Sequence, residues 1–205
     1  MKHFTYGSKE MDYLTKKDPI LGRAIQSIGK ISRPVTEDLF ETLVSSIVSQ
    51  QISKKAFVTV WGRVQALVGK ITPENILETP REELKSCGLS YKKTDWIRSG
   101  AEMVAAGELD LQEIQKLPDN DLIKKLTTLP GIGVWTAEML LIFSLERPDV
   151  LSWGDLAIRR GVKNLYGLEN LTKKEFEAIR ERLSPFNSVA SLYFWELSHE
   201  ARPET

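Results

Sequence analysis

The spacing of apolar residues constrains this chain more than any other feature. Apolar side chains recur at three- and four-residue intervals in runs such as FETLVSSIVSQQ (40–51), KAFVTVWGRVQALVG (55–69) and TDWIRSGAEMVAAG (94–107). That period lays an apolar stripe along a helix, so each run predicts an amphipathic helix. No run alternates convincingly with period two, and the Val-rich piece 57–68 has helical rather than strand spacing. Start signals recur at Thr36 with Glu37 and Asp38, at Thr72-Pro73-Glu74, at Thr79-Pro80 with Glu82 and Glu83, at Asp119, and at Thr172 with Glu175. Gly29, Gly69, Gly107, Gly167 and the prolines read as stops. The pattern predicts an all-α protein of about ten short helices, with small connections that suggest two helical lobes and a cleft between them.

Composition removes several classes of chemistry. A single cysteine, Cys87, precludes an internal disulfide and an iron–sulfur cluster held by four thiolates of this chain. With His3 and His199 the only imidazoles, no His/Cys zinc set is expected. No stretch approaches the ~20 apolar residues of a membrane span, and the opening MKHFTYGSKE lacks the apolar core of a signal peptide. A cytoplasmic protein is expected, nucleoid-associated in a prokaryote and nuclear in a eukaryote. The 28 basic and 28 acidic residues cancel. Bulk charge therefore gives no reason to expect nucleic acid, and DNA binding would have to rest on local clusters and backbone amides.

One stretch supplies such amides. Residues 119–126, DNDLIKKL, predict a short helix capped by Asp119, and VWTAEMLLIFSL (134–145) predicts the next. Between them, Pro130 stops the first helix while Gly131 and Gly133 permit positive φ and close backbone approach. The amides near Gly131, Gly133 and Val134 would then sit at a helix N-terminus, which suits an anion. Gly-x-Gly alone reads first as an ordinary helix–helix turn. The full string LPGIGVWTA resembles a helix–hairpin–helix element, which grips a DNA backbone phosphate without reading sequence. Asp155 follows in SWGDLAIRRG, at the start of a predicted helix from Leu156, where its bland role is that of an N-cap.

Hairpin, apolar helix and aspartate in this order resemble the helix–hairpin–helix (HhH-GPD) DNA glycosylase superfamily, in its 3-methyladenine DNA glycosylase II branch. DPILGRAIQSIG (18–29), LVSSIVSQQISKKA (43–56), GLSYKKTDWIRSGA (88–101) and WGDLAIRRG (153–161) carry the resemblance further, over roughly residues 15–200. The chain then reads as one glycosylase domain, 1–205, with a middle lobe of about 36–146 and a second lobe from 1–35 plus 147–205. The N-terminal β-rich domain of some larger relatives is not expected.

The resemblance implies that Asp155 stabilises the oxocarbenium character of the sugar and positions or deprotonates water. Bifunctional relatives carry a lysine nucleophile two positions after the second hairpin glycine; here Trp135 stands there, so base release without strand cleavage is expected. Trp135 and Phe186 match aromatic walls of the base pocket, with Trp153 and Met139 as further candidates. Gly154 stands where the family often has proline before the acid.

Within VSQQIS (48–53), Gln51 aligns with the wedge that fills the vacated stack, with Gln50 beside it. Ser53, Lys54 and Lys55 are placed for phosphate contact, as are Gly131, Gly133, Val134 and Thr136 through the hairpin. Tyr91, Lys92, Lys93 and Arg98 read either as a second clamp or as a solvated face, and Arg159 and Arg160 as partners of surface acids or of DNA. By family position, the carbonyls of Thr127, Leu129 and Ile132 could hold a monovalent cation, K+ or Na+. No other cofactor is expected. The implied partner is double-stranded DNA with damaged bases, bound by a monomer, with no membrane. Competing readings are a non-catalytic helix–hairpin–helix DNA-binding module, an oxidised-purine glycosylase-lyase of the same superfamily, and a helical scaffold for protein partners.

Overall fold

The computed structural model describes residues 2–199. Among them are thirteen helices: α1 (Ser8–Lys17), α2 (Pro19–Ile28), α3 (Leu39–Ser49), α4 (Lys54–Val68), α5 (Pro73–Glu78), α6 (Arg81–Ser86), α7 (Tyr91–Ala105), α8 (Leu111–Ile114), α9 (Asp119–Leu126), α10 (Val134–Phe143), α11 (Leu156–Tyr166), α12 (Lys173–Leu183) and α13 (Asn187–Leu197). The only pairing of strand type among the described residues is an isolated bridge, His3 to Pro34. The additional helices are the single-turn pieces such as α8, which are too short to display a period.

The chain divides into two compact units, one formed by the residues up to Val35 with those from Leu141 onward, the other by Thr36–Leu140. The first buries Leu14, Leu21, Ile25, Ile158, Val162, Phe176 and Phe194. There α11 lies so close to α13 that a Cβ on Gly161 would stand 1.8 Å from the carbonyl oxygen of Phe194. A second tie is polar. Asp18 is buried, caps α2, and accepts hydrogen bonds from Tyr166 Oη at 2.6 Å and Arg182 Nη2 at 2.7 Å. The other unit buries Leu43, Ile47, Val64, Ile76, Leu84, Ile97 and Leu122.

Several helix starts differ from the sequence expectation. Asp38, not Thr36, caps α3 by accepting from the Glu41 amide at 3.0 Å. Thr79 ends α5, its hydroxyl donating to Asn75 O at 2.7 Å, and therefore does not open α6. Pro118 takes the N-cap position of α9, which leaves Asp119 and Asp121 in the first turn, where the helix dipole favours acids. Thr72 caps α5 and Thr172 forms a capping box with Glu175, as expected.

Candidate active site and nucleic-acid interface

The hairpin is built from the end of α9 and the start of α10. Thr127 and Thr128 donate their hydroxyls to Lys124 O and Lys125 O, at 2.9 and 2.7 Å, finishing α9. Leu129 and Ile132 are buried and anchor the turn, and the Ile132 amide donates to Leu129 O at 3.1 Å. Gly131 has φ +84°, the left-handed region that only glycine adopts without cost, and a Cβ there would lie 2.4 Å from Trp96. Gly133 differs: its φ is not positive and a Cβ would meet nothing within 4 Å. The hairpin thus uses one glycine for conformation and leaves open space at the other. The Gly133 carbonyl accepts from Ala137 N at 2.9 Å, the first intrahelical bond of α10. The amides of Val134, Trp135 and Thr136 therefore belong to the first turn of α10. Val134 and Trp135 are 57% and 46% exposed, whereas the Thr136 side chain is buried. Any part Thr136 plays toward DNA falls to its backbone.

The loop 50–53 follows α3. Gln50 donates from Nε2 to Gly131 O at 2.8 Å, which links this loop to the hairpin. Gln51 is exposed and adopts φ +56°, unusual for a side chain with a Cβ. Ser53 caps α4 by accepting from the Ala56 amide at 3.2 Å, and Lys54 opens the helix exposed to solvent. Gln50, Gln51, Gly131, Gly133, Trp135 and Thr136 line one pocket of about 500 Å³, so residues 80 positions apart in the chain share a surface.

Lys93 and Arg98 are neither a clamp nor a solvated face. Lys93 Nζ donates to Val48 O at 2.9 Å and Gln50 O at 2.6 Å, and burial pulls its ammonium below the usual lysine range. Arg98 Nη1 donates to Thr79 O at 2.7 Å and Ile76 O at 3.3 Å. Both side chains satisfy carbonyls at helix C-termini, where a cation is electrostatically favoured. Tyr91 lies beneath Arg81 and Lys85, and Lys92 lies over the Trp96 ring at 4.9 Å.

In the other unit, Asp155 is the N-cap of α11. Its Oδ1 accepts from the Ile158 amide at 2.9 Å, and the residue is 7% exposed. The capping role and a catalytic role are chemically compatible, because a carboxylate has two oxygens and several acceptor sites. Trp153 is half-buried and packs edge-on against Phe176, centroids 5.2 Å apart, with Arg159 over its face at 4.7 Å. Phe186 is half-buried and meets Tyr13 edge-on at 5.1 Å. Asp149 fixes the segment before it, accepting from Ser184 Oγ and Asn187 Nδ2, each at 2.6 Å. Met139 is half-buried on α10.

The profile of the HhH-GPD superfamily base excision DNA repair proteins matches residues 44–185. That span takes in the 50–53 loop, the hairpin and Asp155. The chain belongs to the HhH-GPD superfamily. A DNA-3-methyladenine glycosidase from Bacillus halodurans has a solved structure 38% identical to it, with a TM-score of 0.87 over 97% of this chain and 93% of that one. The Schizosaccharomyces pombe 3-methyladenine DNA glycosylase, solved in complex with abasic DNA, is 32% identical, with a TM-score of 0.82 over 97% of this chain and 100% of that one. A DNA-3-methyladenine glycosylase of Bacillus subtilis is 29% identical over 200 residues, 90% of this chain and 65% of its own length.

As an HhH-GPD protein the chain shares the fold of these structures, and its described residues are all-helical as its sequence implied. Sequence reasoning missed the supporting roles of Lys93 and Trp96 behind the hairpin and loop, and of Asp149 beside Phe186. Trp96 carried no period or motif that would separate a support from a core residue. Lys93 was visible only as a positive charge at a helix start. Among the described residues no helix is long and apolar enough to cross a membrane.

Proposed function

We propose that this chain is a monofunctional DNA glycosylase of base excision repair, which flips alkylated purines of the 3-methyladenine and 7-methylguanine type out of duplex DNA and hydrolyses the N-glycosidic bond. One observation carries the reading: a carboxylate, Asp155, buried at a helix N-terminus in a chain of the family that also holds an open hairpin turn. The relatives' activity supports it, and abasic DNA is what base hydrolysis leaves behind.

The chemistry needs little more. An alkylated purine carries a positive charge, so it departs with the electron pair of the glycosidic bond as a neutral base. Positive charge then develops on the deoxyribose, where Asp155 stabilises it. Water adds to the anomeric carbon and gives its proton to the carboxylate. No cofactor is required for this sequence of steps. Trp135, 46% exposed, offers an indole face to a cationic base, and Phe186 offers a second aromatic wall. At the hairpin position where a lyase would hold its lysine stands Trp135, so no Schiff base forms there and the oxidised-purine lyase reading loses ground. A purely gripping module would need neither Asp155 nor the exposed tryptophan.

The hairpin amides of Gly131, Gly133 and Val134 hold a backbone phosphate in this reading, Gln51 wedges into the vacated stack, and Ser53 and Lys54 contact phosphates nearby. The carbonyls of Thr127, Leu129 and Ile132 are neutral oxygen donors suited to a hard monovalent ion, which would order the turn. The protein acts as a monomer on double-stranded DNA, wherever the cell keeps it.

Incubating the protein with methylated DNA should release free 3-methyladenine or 7-methylguanine with no strand nick before alkali. Asp155→Asn should lower single-turnover release by about 10³-fold or more, with duplex affinity nearly unchanged. Undiminished release by that variant would remove the catalytic assignment.

A further inference from the structure

The loop after α3 is closed in a costly way. Helices commonly end on a glycine at the position after the cap, which satisfies the last carbonyls at little expense. Here Gln50 is the cap, Gln51 stands next with φ +56° despite its side chain, and an ammonium from another helix serves the carbonyls. Lys93 reaches Val48 O and Gln50 O from the first turn of α7, at 2.9 and 2.6 Å. Desolvating an ammonium is unfavourable unless hydrogen bonds compensate, and these bonds are charge-assisted and short. Three residues on, the same face of α7 presents Trp96, whose ring lies so close beneath Gly131 that a Cβ there would be 2.4 Å away. The third side of the figure is Gln50 Nε2 donating to Gly131 O at 2.8 Å. One helix thus sets both loop and hairpin, and an amide crosses between them.

We propose that Lys93 is the positioning residue of the wedge: by pinning the Val48 and Gln50 carbonyls it holds Gln51 extended into solvent at a fixed spacing from the phosphate-gripping hairpin, with Gln50 as the strut between them. The inference rests on the reading of Gln51 as the wedge. Its consequence is specific to flipping. A loop that sags still allows the chemistry on a base already out of the stack, while extrusion from a paired duplex loses the plug that keeps the base out.

The test is a double-mutant cycle on single-turnover excision of 7-methylguanine from a duplex, using Lys93→Met and Gln51→Ala. Each single variant should slow excision about tenfold, and the double variant should be no slower than Gln51→Ala alone, because Lys93 acts only through the wedge. With the lesion in a mismatched pair, which is easier to extrude, both defects should shrink together. Independent, multiplying losses in the double variant, or no loss from Lys93→Met beside a clear loss from Gln51→Ala, would overturn the positioning role alone. No loss from Gln51→Ala would overturn the wedge reading and this inference with it, while leaving the Asp155 result standing. A melting curve shows whether Lys93→Met remains folded. If it does not, Gln50→Leu, which removes only the strut to Gly131, takes its place in the same cycle with the same two overturning outcomes.

Discussion

The loop that carries Gln51 and the loop that carries Asp155 are both short connections into a helix, and they are held by different means. Asp155 is set by the residues that immediately follow it, since its carboxylate accepts from the Ile158 amide three positions on. Gln51 is set from far along the chain, by Lys93 bonded to carbonyls 43 and 45 positions away and by Gln50 bonded to a carbonyl 81 positions away. A cap requires only that the helix form. A bracket of three long-range contacts requires that α3, α7 and the hairpin all be in place. The proposed chemical group is thus fixed locally, and the proposed DNA-handling elements are fixed by tertiary structure.

The contrast breaks most severely at Gly161. Asp155's helix is seated by its backbone approach to α13, and a Cβ at Gly161 would stand 1.8 Å from Phe194 O and 2.6 Å from its carbonyl carbon. Neither atom is a flexible side-chain end, so the helices must separate. Gly161→Ala should cost about 3 kcal/mol or more and lower the cooperative melting temperature steeply, taking excision with it. A melting curve close to that of the parent protein would show that α11 is not seated in this way, and local capping would then suffice for Asp155.

The hairpin glycines offer the next largest effect, and they should part company. Gly131→Ala combines a left-handed φ with a collision against Trp96, and should cost about 2–3 kcal/mol while weakening DNA binding. Gly133→Ala meets nothing and demands no left-handed φ, so stability should stay within about 1 kcal/mol of the parent. Its methyl group projects into the space a phosphate would approach, so duplex affinity should still fall. Denaturant melts beside fluorescence-anisotropy titrations separate these outcomes. Equal affinity for Gly133→Ala and the parent protein would argue that the turn does not receive a backbone phosphate.

The same local-versus-distant division explains what could be read from the sequence. The helices with three- and four-residue apolar spacing were legible because period is a local property: α9 spans 119–126 as predicted, and α4 and α10 lie within two residues of expectation at either end. Asp155 was legible as the cap of α11. The roles of Lys93 and Arg98 were not, because a basic residue in the first two turns of a helix looks the same whether it meets water, a phosphate or a distant carbonyl. Trp153, a further pocket candidate, packs edge-on against Phe176, a partner 23 positions later that no spacing rule selects. Both hairpin glycines permit positive φ. Only Gly131, pressed against Trp96, adopts it.

The smallest expected effect separates the two duties of Asp155. Asparagine and aspartate are comparable N-caps, because each offers a side-chain oxygen to the amides of the first turn, whereas alanine offers none. Asp155→Asn should therefore melt close to the parent protein, and Asp155→Ala about 1 kcal/mol lower, a shift of a few degrees for a chain of this size. Both should lose excision to a similar degree, because neither retains the negative charge that the proposed mechanism requires. Matching melts with matching loss of activity would mean that the cap contributes nothing and that α11 is held by its packing on α13 alone. Graded activity, with Asn retaining most and Ala little, would mean that the side chain's service is to the helix. In that case the site would be tertiary throughout, and the difference between the two loops would be one of appearance only.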